Sequence, residues 1–227
     1  MGRVHLSFDN GPHPEVTPRV LDALRRRGLS ATFFVLGRNL DTPWGMELAR
    51  RIRDEGHRLG NHSYSHAVPL GDDPRPDAVA QELERTQDLL DRVASGPLWF
   101  RPFGGGGVLG PHLLSEDSLR WLMARQATCV LWNAVPEDWL DAEGWAARAL
   151  DQLDAQGHSV LVLHDVLPEA MAHLDAFLGA MLDRGHRVTD ALPADCLPVV
   201  QGQARPGLEG CVRWRGPDML EAVLSPR

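Results

Sequence analysis

The sequence predicts an α/β fold in which about seven parallel strands form a closed or partly open barrel. Along the 227 residues, an amphipathic helix, a glycine and a short apolar strand recur in that order. Such alternation is typical of parallel strands joined by crossover helices. Continuous apolar runs such as ATFFVL and SVLVLH suit a sheet covered on both faces. Because no glycine-rich dinucleotide loop follows the first strand, a barrel is favoured over an open doubly wound sheet.

The first strand is predicted in VHLSF, where apolar and polar residues alternate until Gly11-Pro12 stops it. Apolar spacings of three and four residues predict helices that end at glycines suited to left-handed caps. The helices are VTPRVLDALRRRG, ELARRIRDEG, AARALDQLDAQG and HLDAFLGAMLDRG, with Gly28, Gly56, Gly157 and Gly185 as caps. The strands that follow them are SATFFVLG, HRLGN, HSVLVLHD and HRVTDAL.

The remaining elements fill the gaps between these units. PLWFRPF and ATCVLWNA are predicted as buried strands, and residues 76–93 and 115–125 as helices. We expect one domain with two parts, a barrel of residues 1–196 and a loop-rich extension of residues 197–227. Within that extension, CVRWRG favours one more strand.

Composition disfavours several classes of protein. The net charge is -8 and no Lys or Arg run could follow a phosphate backbone, so nucleic acid is not an expected partner. Three widely spaced cysteines indicate core positions rather than a disulfide framework or a cysteine zinc site. No apolar stretch reaches the ~18 to 20 residues of a membrane span. MGRVHLSF lacks a signal-peptide core, so we expect a cytoplasmic protein, or an exported one if a leader has been removed.

Unusual polar residues fall at the predicted C-terminal ends of the strands. In barrels of this kind that rim carries the active site, so the clustering predicts an enzyme. The residues are Asp9, Asn10, His62, His66, Arg101, Asp138, His164 and Asp165.

His62 and His66 are four residues apart, a spacing that one helical turn would bring onto one face to share a metal ion. With ten histidines in the chain, chance gives on the order of 0.4 such pairs, so the spacing alone favours a structural role. The position after a predicted strand, with Asn10 as an oxygen ligand across the rim, favours the metal site.

Two further segments each have a chemical and a structural interpretation. Arg101 precedes four glycines whose amides could donate to a developing oxyanion, or which form only a flexible loop. His164 follows an apolar run, as a core histidine would, but an imidazole beside a carboxylate such as Asp138 is also typical of a general acid. If His164 is a general acid, EDWLD also provides Trp139 as an apolar wall of the site. If it is not, EDWLD is an exposed acidic helix start.

Five segments resemble, in order, the five motifs of the polysaccharide deacetylase family, carbohydrate esterase family four, also called the NodB homology domain. The segments are SFDNGPHPEVTPRVLDAL, HSYSH, RPFG, PEDW and LVLHD, within residues 4–190. The resemblance implies a distorted parallel (β/α) barrel. It also implies metal-dependent hydrolysis of an N-acetyl or O-acetyl group on a carbohydrate or a small acetylated molecule.

By the same resemblance, Asp9 matches the general base and Arg101 the residue that orients its carboxylate. His164 matches the general acid, and Asp138 the residue that holds its imidazole. The implied metal is zinc, with cobalt, nickel or manganese as alternatives. The matching ligands are Asn10, His62 and His66, and the matching substrate-binding residues are Phe103 as oxyanion donor, Gly104, Trp139 and Val162.

The chain departs from the family pattern at three places. Asn10 stands where aspartate is commonest, which removes a negative charge and predicts weaker metal retention. RPFG is one residue shorter than the usual third motif, and Asn133 stands where an acidic residue often precedes the fourth. The alternatives are therefore a hydrolase of another C–N bond, as in cyclic ureides or imides, a catalytically weak sugar-binding relative, and a purely structural barrel.

Overall fold

A computed structural model describes residues 1–216. Within them, the α-helices are α1 (Val16–Arg27), α2 (Gly37–Leu40), α3 (Pro43–Asp54), α4 (Arg85–Leu90), α5 (Glu116–Ala124), α6 (Trp145–Asp154), α7 (Pro168–Met171) and α8 (Leu174–Asp183). A π-helical segment, Val79–Glu84, leads into α4. The strands are β1 (Arg3–Asp9), β2 (Thr32–Val35), β3 (Arg58–Asn61), β4 (Trp99–Phe100), β5 (Leu114–Ser115), β6 (Thr128–Cys129), β7 (His158–His164), β8 (Arg187–Val188), β9 (Val199–Val200), β10 (Gln203–Ala204) and β11 (Val212–Arg213).

Parallel strands form the main sheet, in the order β6-β4-β3-β2-β1-β7, and β8 pairs with the start of β1. The longest pairing is that of β1 with β7, which runs in register from Arg3 opposite His158 to Asp9 opposite His164. β9 and β10 continue the sheet in antiparallel orientation beside β6. The seven parallel strands of this sheet within residues 1–216 confirm the predicted α/β barrel class.

Residues 128–134 close the barrel and explain its distortion. Their first half pairs with β4, whereas Ala134 at their end bridges Leu161 of β7. The side-chain oxygen of Asn133 accepts the backbone N–H of Val160 at 2.8 Å, which fixes this crossing. Asn133 therefore serves barrel closure, a role that the sequence pattern alone did not indicate.

Both faces of the sheet are covered, as the continuous apolar strands predict. On β7, Leu161 and Leu163 belong to the hydrophobic cluster under the outer helices, and Val160 and Val162 to the cluster on the opposite side. The three cysteines are unpaired and buried, which confirms the prediction that they are core residues. Within residues 1–216, a helix with the length and hydropathy of a membrane span does not occur.

The predicted helices are all present, and three of the four predicted glycine caps have left-handed backbones. The φ angles are 63° at Gly28, 85° at Gly56 and 83° at Gly185. The prediction for Gly157 is wrong, because its carbonyl accepts the N–H of Arg3 where the chain already enters the β1–β7 pair. CVRWRG contains β11, which pairs with β5. Residues 217–227 of the predicted extension lie outside the described residues.

Candidate active site

Strand register brings the predicted rim residues together. Asp9 ends β1 directly opposite His164, which ends β7. Asn61 of β3 pairs with the last residue of β4, so the residues that follow these two strands, His62 and Arg101, are neighbours. Neighbouring parallel strands end at the same edge, and the first strand, the histidine segment and the RPFG segment therefore meet there.

Arg101 is fully buried and anchors the carboxylate of Asp9. Its Nη1 donates to Asp9 Oδ1 at 2.9 Å and to Ser7 Oγ at 2.7 Å, while Nε donates to the Val130 carbonyl at 3.2 Å. The guanidinium carbon also lies 4.1 Å from the ring centroid of Phe34. Burial lowers the pKa of Arg101, and the charge of Asp9 opposes that shift. The pairing leaves Asp9 Oδ2 facing the pocket side, 3.6 Å from His62 Nε2.

The two imidazoles converge, but not through a helical turn. Their ring centroids are 5.2 Å apart. The predicted helical arrangement is wrong, because Ser63 and His66 have φ angles of 70° and 54° and the segment is an irregular loop. His66 stacks on Phe103, with ring centroids 3.8 Å apart. Backbone turns therefore produce the convergence that the four-residue spacing suggests.

The donor set around His62 suits a divalent metal ion. His62 Nδ1 donates to the Arg101 carbonyl at 2.8 Å, which leaves the Nε2 lone pair for a ligand. Burial lowers the pKa of His62 and lowers that of His66 to about 3, so both rings are neutral, as metal binding requires. Asn10 Oδ1 is buried and has no hydrogen-bond partner among residues 1–216. Two nitrogens and one oxygen match zinc and similar metals.

An arrangement of three or more His, Cys, Asp or Glu side chains suited to a metal does not occur within residues 1–216. The candidate third donor is instead the unpartnered side-chain oxygen of Asn10. Asn10 has a φ of 75°, and its backbone carbonyl accepts the Asn39 Nδ2–H at 2.8 Å. Asparagine tolerates this left-handed conformation better than most residues, so a short side chain is held at the rim.

Buried Asp138 pairs with the partly buried His164 on the other side of Asp9. His164 Nδ1 donates to Asp138 Oδ1 at 2.7 Å, and the His164 backbone N–H donates to Oδ2 at 2.8 Å. Burial alone would lower the pKa of His164, but the hydrogen bond and charge of Asp138 outweigh it and raise that pKa. Asp138 is only 2% exposed, so EDWLD is not an exposed helix start at this residue. The Trp139 and His164 rings are roughly perpendicular, with centroids 5.2 Å apart.

Two adjoining cavities open between these groups. The smaller has a volume of about 60 Å³ and the larger about 330 Å³. The smaller is lined by Asp9, His62, Pro102, Phe103, Gly104, Gly107, Trp132, Val135, Trp139, Val162 and His164. The larger is lined by Asn10, His66, Gly104, Gly106, Gly107, Trp139, His164, Val166 and Leu167. Of the residues matched to family roles, Arg101 and Asp138 line neither cavity, and each supports a residue that does.

Three pocket or rim residues carry no clear sequence signal for their positions. Trp132 and Val135 look like core residues of a strand, although they line the smaller cavity. Asp165 lies on the predicted rim but is fully buried behind it. Its Oδ2 accepts the Thr17 hydroxyl at 2.5 Å, and its Oδ1 has no partner among the described residues. Burial raises the pKa of Asp165 to about 7.

Comparisons with known proteins show what the chain is similar to. The profile of the family described as Polysaccharide deacetylase matches residues 2–108. A chitooligosaccharide deacetylase of Azorhizobium caulinodans is 30% identical over 171 residues, 73% of this chain and 74% of the relative. A peptidoglycan-N-acetylglucosamine deacetylase of Bacillus cereus is 34% identical over 137 residues, 60% of this chain. Those residues span 46% of that relative, so the chain matches less than half of its length.

A solved structure shares the fold. The family 4 acetyl xylan esterase of Clostridium thermocellum, in complex with a cobalt ion, has a TM-score of 0.67 and 27% identity. The match covers 82% of this chain and 87% of the esterase chain.

Proposed function

Because this chain belongs to the polysaccharide deacetylase family, we propose that it is a metal-dependent hydrolase that removes the acetyl group from an N-acetylated carbohydrate. One observation carries the proposal. Asp9 and the His164–Asp138 pair flank a small cavity, with the His62 and His66 rings beside it. An acid and a base on either side of one pocket suit hydrolysis of an amide held between them.

Asn10, His62 and His66 would hold the metal ion, which we propose to be zinc, or else cobalt, nickel or manganese. When bound, such an ion lowers the pKa of water and polarises a carbonyl group. The buried, unpartnered Asn10 Oδ1 and the fixed His62 tautomer support this assignment. The related esterase that binds cobalt adds support from a protein of the same fold.

Asp9 is the proposed general base. Arg101 holds its Oδ1, so Oδ2 stays directed at the pocket and takes a proton from the attacking water. His164 is the proposed general acid. Because Asp138 holds Nδ1, Nε2 is the nitrogen available to protonate the leaving amine. The raised pKa of His164 favours the protonated form that this step needs.

The two cavities suit the two parts of an acylated amino sugar. The cavity of about 60 Å³ has room for roughly two water-sized groups, as in a methyl and a carbonyl. Trp139 and Val162 are its proposed apolar walls, and the backbone amides of Phe103 and Gly104 its proposed oxyanion donors. The cavity of about 330 Å³ would hold part of the sugar. The matched relatives are named for deacetylation of peptidoglycan N-acetylglucosamine and of chitooligosaccharide, which supports the amide substrate.

Acetate release tests the proposal. Protein purified without chelator is reconstituted separately with zinc, cobalt, nickel and manganese, and incubated with mono- and oligosaccharides of N-acetylglucosamine and N-acetylmuramic acid. We expect acetate from at least one substrate, near one metal ion per chain, and loss of turnover in Asp9→Asn and His164→Ala. Ring opening of a cyclic ureide or imide without acetate release would favour the other C–N hydrolase. Sugar binding without any turnover would favour the binding-only relative.

A further inference from the structure

Residues 104–107 form a turn that only glycine accommodates well. The four successive φ angles are 128°, 62°, 58° and 88°. Side chains with a Cβ are strained in this left-handed region, so the run of four glycines meets a backbone requirement. The N–H of Gly107 donates to the Gly104 carbonyl at 3.3 Å, which closes the turn on itself. The turn follows Phe103 and lines both cavities.

Side chains pack closely against the turn on two sides, His112 at Gly105 and Val135 at Gly107. A Cβ added at Gly105 would lie 2.7 Å from Nε2 of His112, and one added at Gly107 would lie 2.9 Å from Cγ1 of Val135. On the Val135 side, the indole N–H of Trp132 donates to the Gly107 carbonyl at 2.6 Å. Trp132 is only 7% exposed, and this hydrogen bond is partly buried.

The backbone on both sides of Trp132 is held by hydrogen bonds to other parts of the fold. It belongs to the 128–134 segment that closes the barrel. The preceding residue, Leu131, donates its N–H to the Cys196 carbonyl, and the following residue, Asn133, bonds to β7. Through its hydrogen bond to the Gly107 carbonyl, the indole therefore fixes the glycine turn relative to the barrel wall.

We propose that Trp132 is a specificity-determining and positioning residue, which holds the glycine turn over the small cavity and thereby restricts the acyl group to acetyl. This inference rests on the proposed deacetylase function. Trp132 and Gly107 both line the cavity of about 60 Å³, and Gly107 is also part of the wall of the larger one. A longer acyl chain needs space that the indole and the turn occupy. Hydrolysis consumes one water and releases the carboxylic acid and the sugar amine, so acyl length can be varied without changing the reaction.

The variant Trp132→Phe tests this. It keeps an aromatic ring but removes the N–H donor and part of the indole volume. Glucosamine oligosaccharides carrying N-acetyl, N-propionyl or N-butyryl groups are compared by kcat and KM on the metal-loaded enzyme. We expect the propionyl-to-acetyl ratio of kcat/KM to rise at least about tenfold, since one methylene in an apolar pocket is worth roughly 10- to 200-fold. We also expect kcat for the acetyl substrate to fall, because the loosened turn places its amides less well.

Trp121→Phe is the matched control. Trp121 of α5 is also 7% exposed, but its indole N–H has no hydrogen-bond partner among residues 1–216 and it lines neither cavity. Both variants lose the same atoms from a buried indole, and only Trp132→Phe should change acyl selectivity. An active wild-type enzyme whose selectivity is unchanged in Trp132→Phe, or changed equally in Trp121→Phe, overturns the inference alone. A wild-type protein that hydrolyses none of the acyl sugars overturns the proposed function and this inference with it.

Discussion

The carboxylate of Asp138 accepts two hydrogen bonds from a single residue, His164, one from the backbone N–H at 2.8 Å and one from Nδ1 at 2.7 Å. This double contact fixes both the ring and the strand end that carries it. Because His164 presents two donors, the backbone N–H and Nδ1–H, an acceptor with two oxygens is needed at residue 138 to satisfy both.

The variant Asp138→Asn should therefore lose most activity while the protein stays folded. An asparagine has one acceptor oxygen, and its NH₂ group would face one of the two donors of His164. The imidazole would then lose its fixed tautomer and the charge that raises its pKa. We expect kcat for acetate release to fall by about 10² to 10⁴. Glu137→Gln removes a neighbouring exposed carboxylate and should leave kcat unchanged, and equal losses in both variants would contradict the assignment.

The variant Asn10→Asp should bind zinc more tightly. Aspartate keeps the short side chain and tolerates the φ of 75°, but it adds a negative charge to the proposed ligand set. We expect the Kd for zinc, measured by competition with a chromogenic chelator, to fall roughly tenfold or more, because ligand charge strongly tunes metal affinity. Asn10→Ala removes the oxygen and should raise the Kd. If all three proteins bind zinc equally, Asn10 is not a ligand.

Much of the site could be predicted because its parts follow strand ends. A residue that directly follows a buried parallel strand lies on the C-terminal rim, wherever it is in the chain. This places Asp9, His62, Arg101 and His164 near each other once the strands are recognised. Which of these residues are direct neighbours depends on the order and register of the strands, which the structure supplies. The motif resemblance then supplied the expected role of each residue.

The parts that could not be predicted depend on backbone turns and on side-chain direction. The helical arrangement of His62 and His66 was wrong because left-handed residues in a loop bring the rings together, and spacing does not reveal such turns. Trp132 lies in an apolar run of sequence that predicts a buried strand. Such a run does not distinguish a residue of the core from one that lines a pocket. Asp165 directly follows His164 but lines neither cavity, because its buried carboxylate accepts the Thr17 hydroxyl instead.

Gly11 should not accept even a methyl group. A Cβ at this residue would lie 2.3 Å from both carboxylate oxygens of the fully buried Asp165. We expect Gly11→Ala to lower the free energy of unfolding by about 1–3 kcal/mol, the usual cost of overpacking, as measured by urea denaturation. At Gly157 an added Cβ meets no described atom within 4 Å and the φ angle is not left-handed. Gly157→Ala should therefore change stability by less than about 0.5 kcal/mol, and a similar loss in both variants would contradict the close contact.

His5 should make the protein sensitive to acid. The side chain lies in β1 and is 2% exposed. Its Nδ1 donates to the Thr189 carbonyl at 3.2 Å, and its Nε2 accepts the Thr32 hydroxyl at 3.0 Å. Burial, with a smaller contribution from the positive charge of Arg101, lowers the pKa of His5 to about 4. The folded protein therefore holds a neutral imidazole in a pH range where the unfolded chain is protonated.

The sign of the resulting pH dependence follows from that difference. Between the ordinary value of 6.5 and the folded pKa of about 4, the unfolded state binds more protons, so the free energy of unfolding decreases as the pH falls. From pH 7.5 to 4.5 the contribution of His5 amounts to roughly 2–3 kcal/mol. The glutamine in His5→Gln does not titrate. Between pH 7.5 and 4.5 the free energy of unfolding of this variant should therefore decrease by roughly 2–3 kcal/mol less than that of the wild type, as measured by urea denaturation at each pH. His173→Gln, which removes an exposed imidazole, should follow the wild-type curve. Parallel curves for wild type and His5→Gln would show that His5 is not the acid-sensitive group.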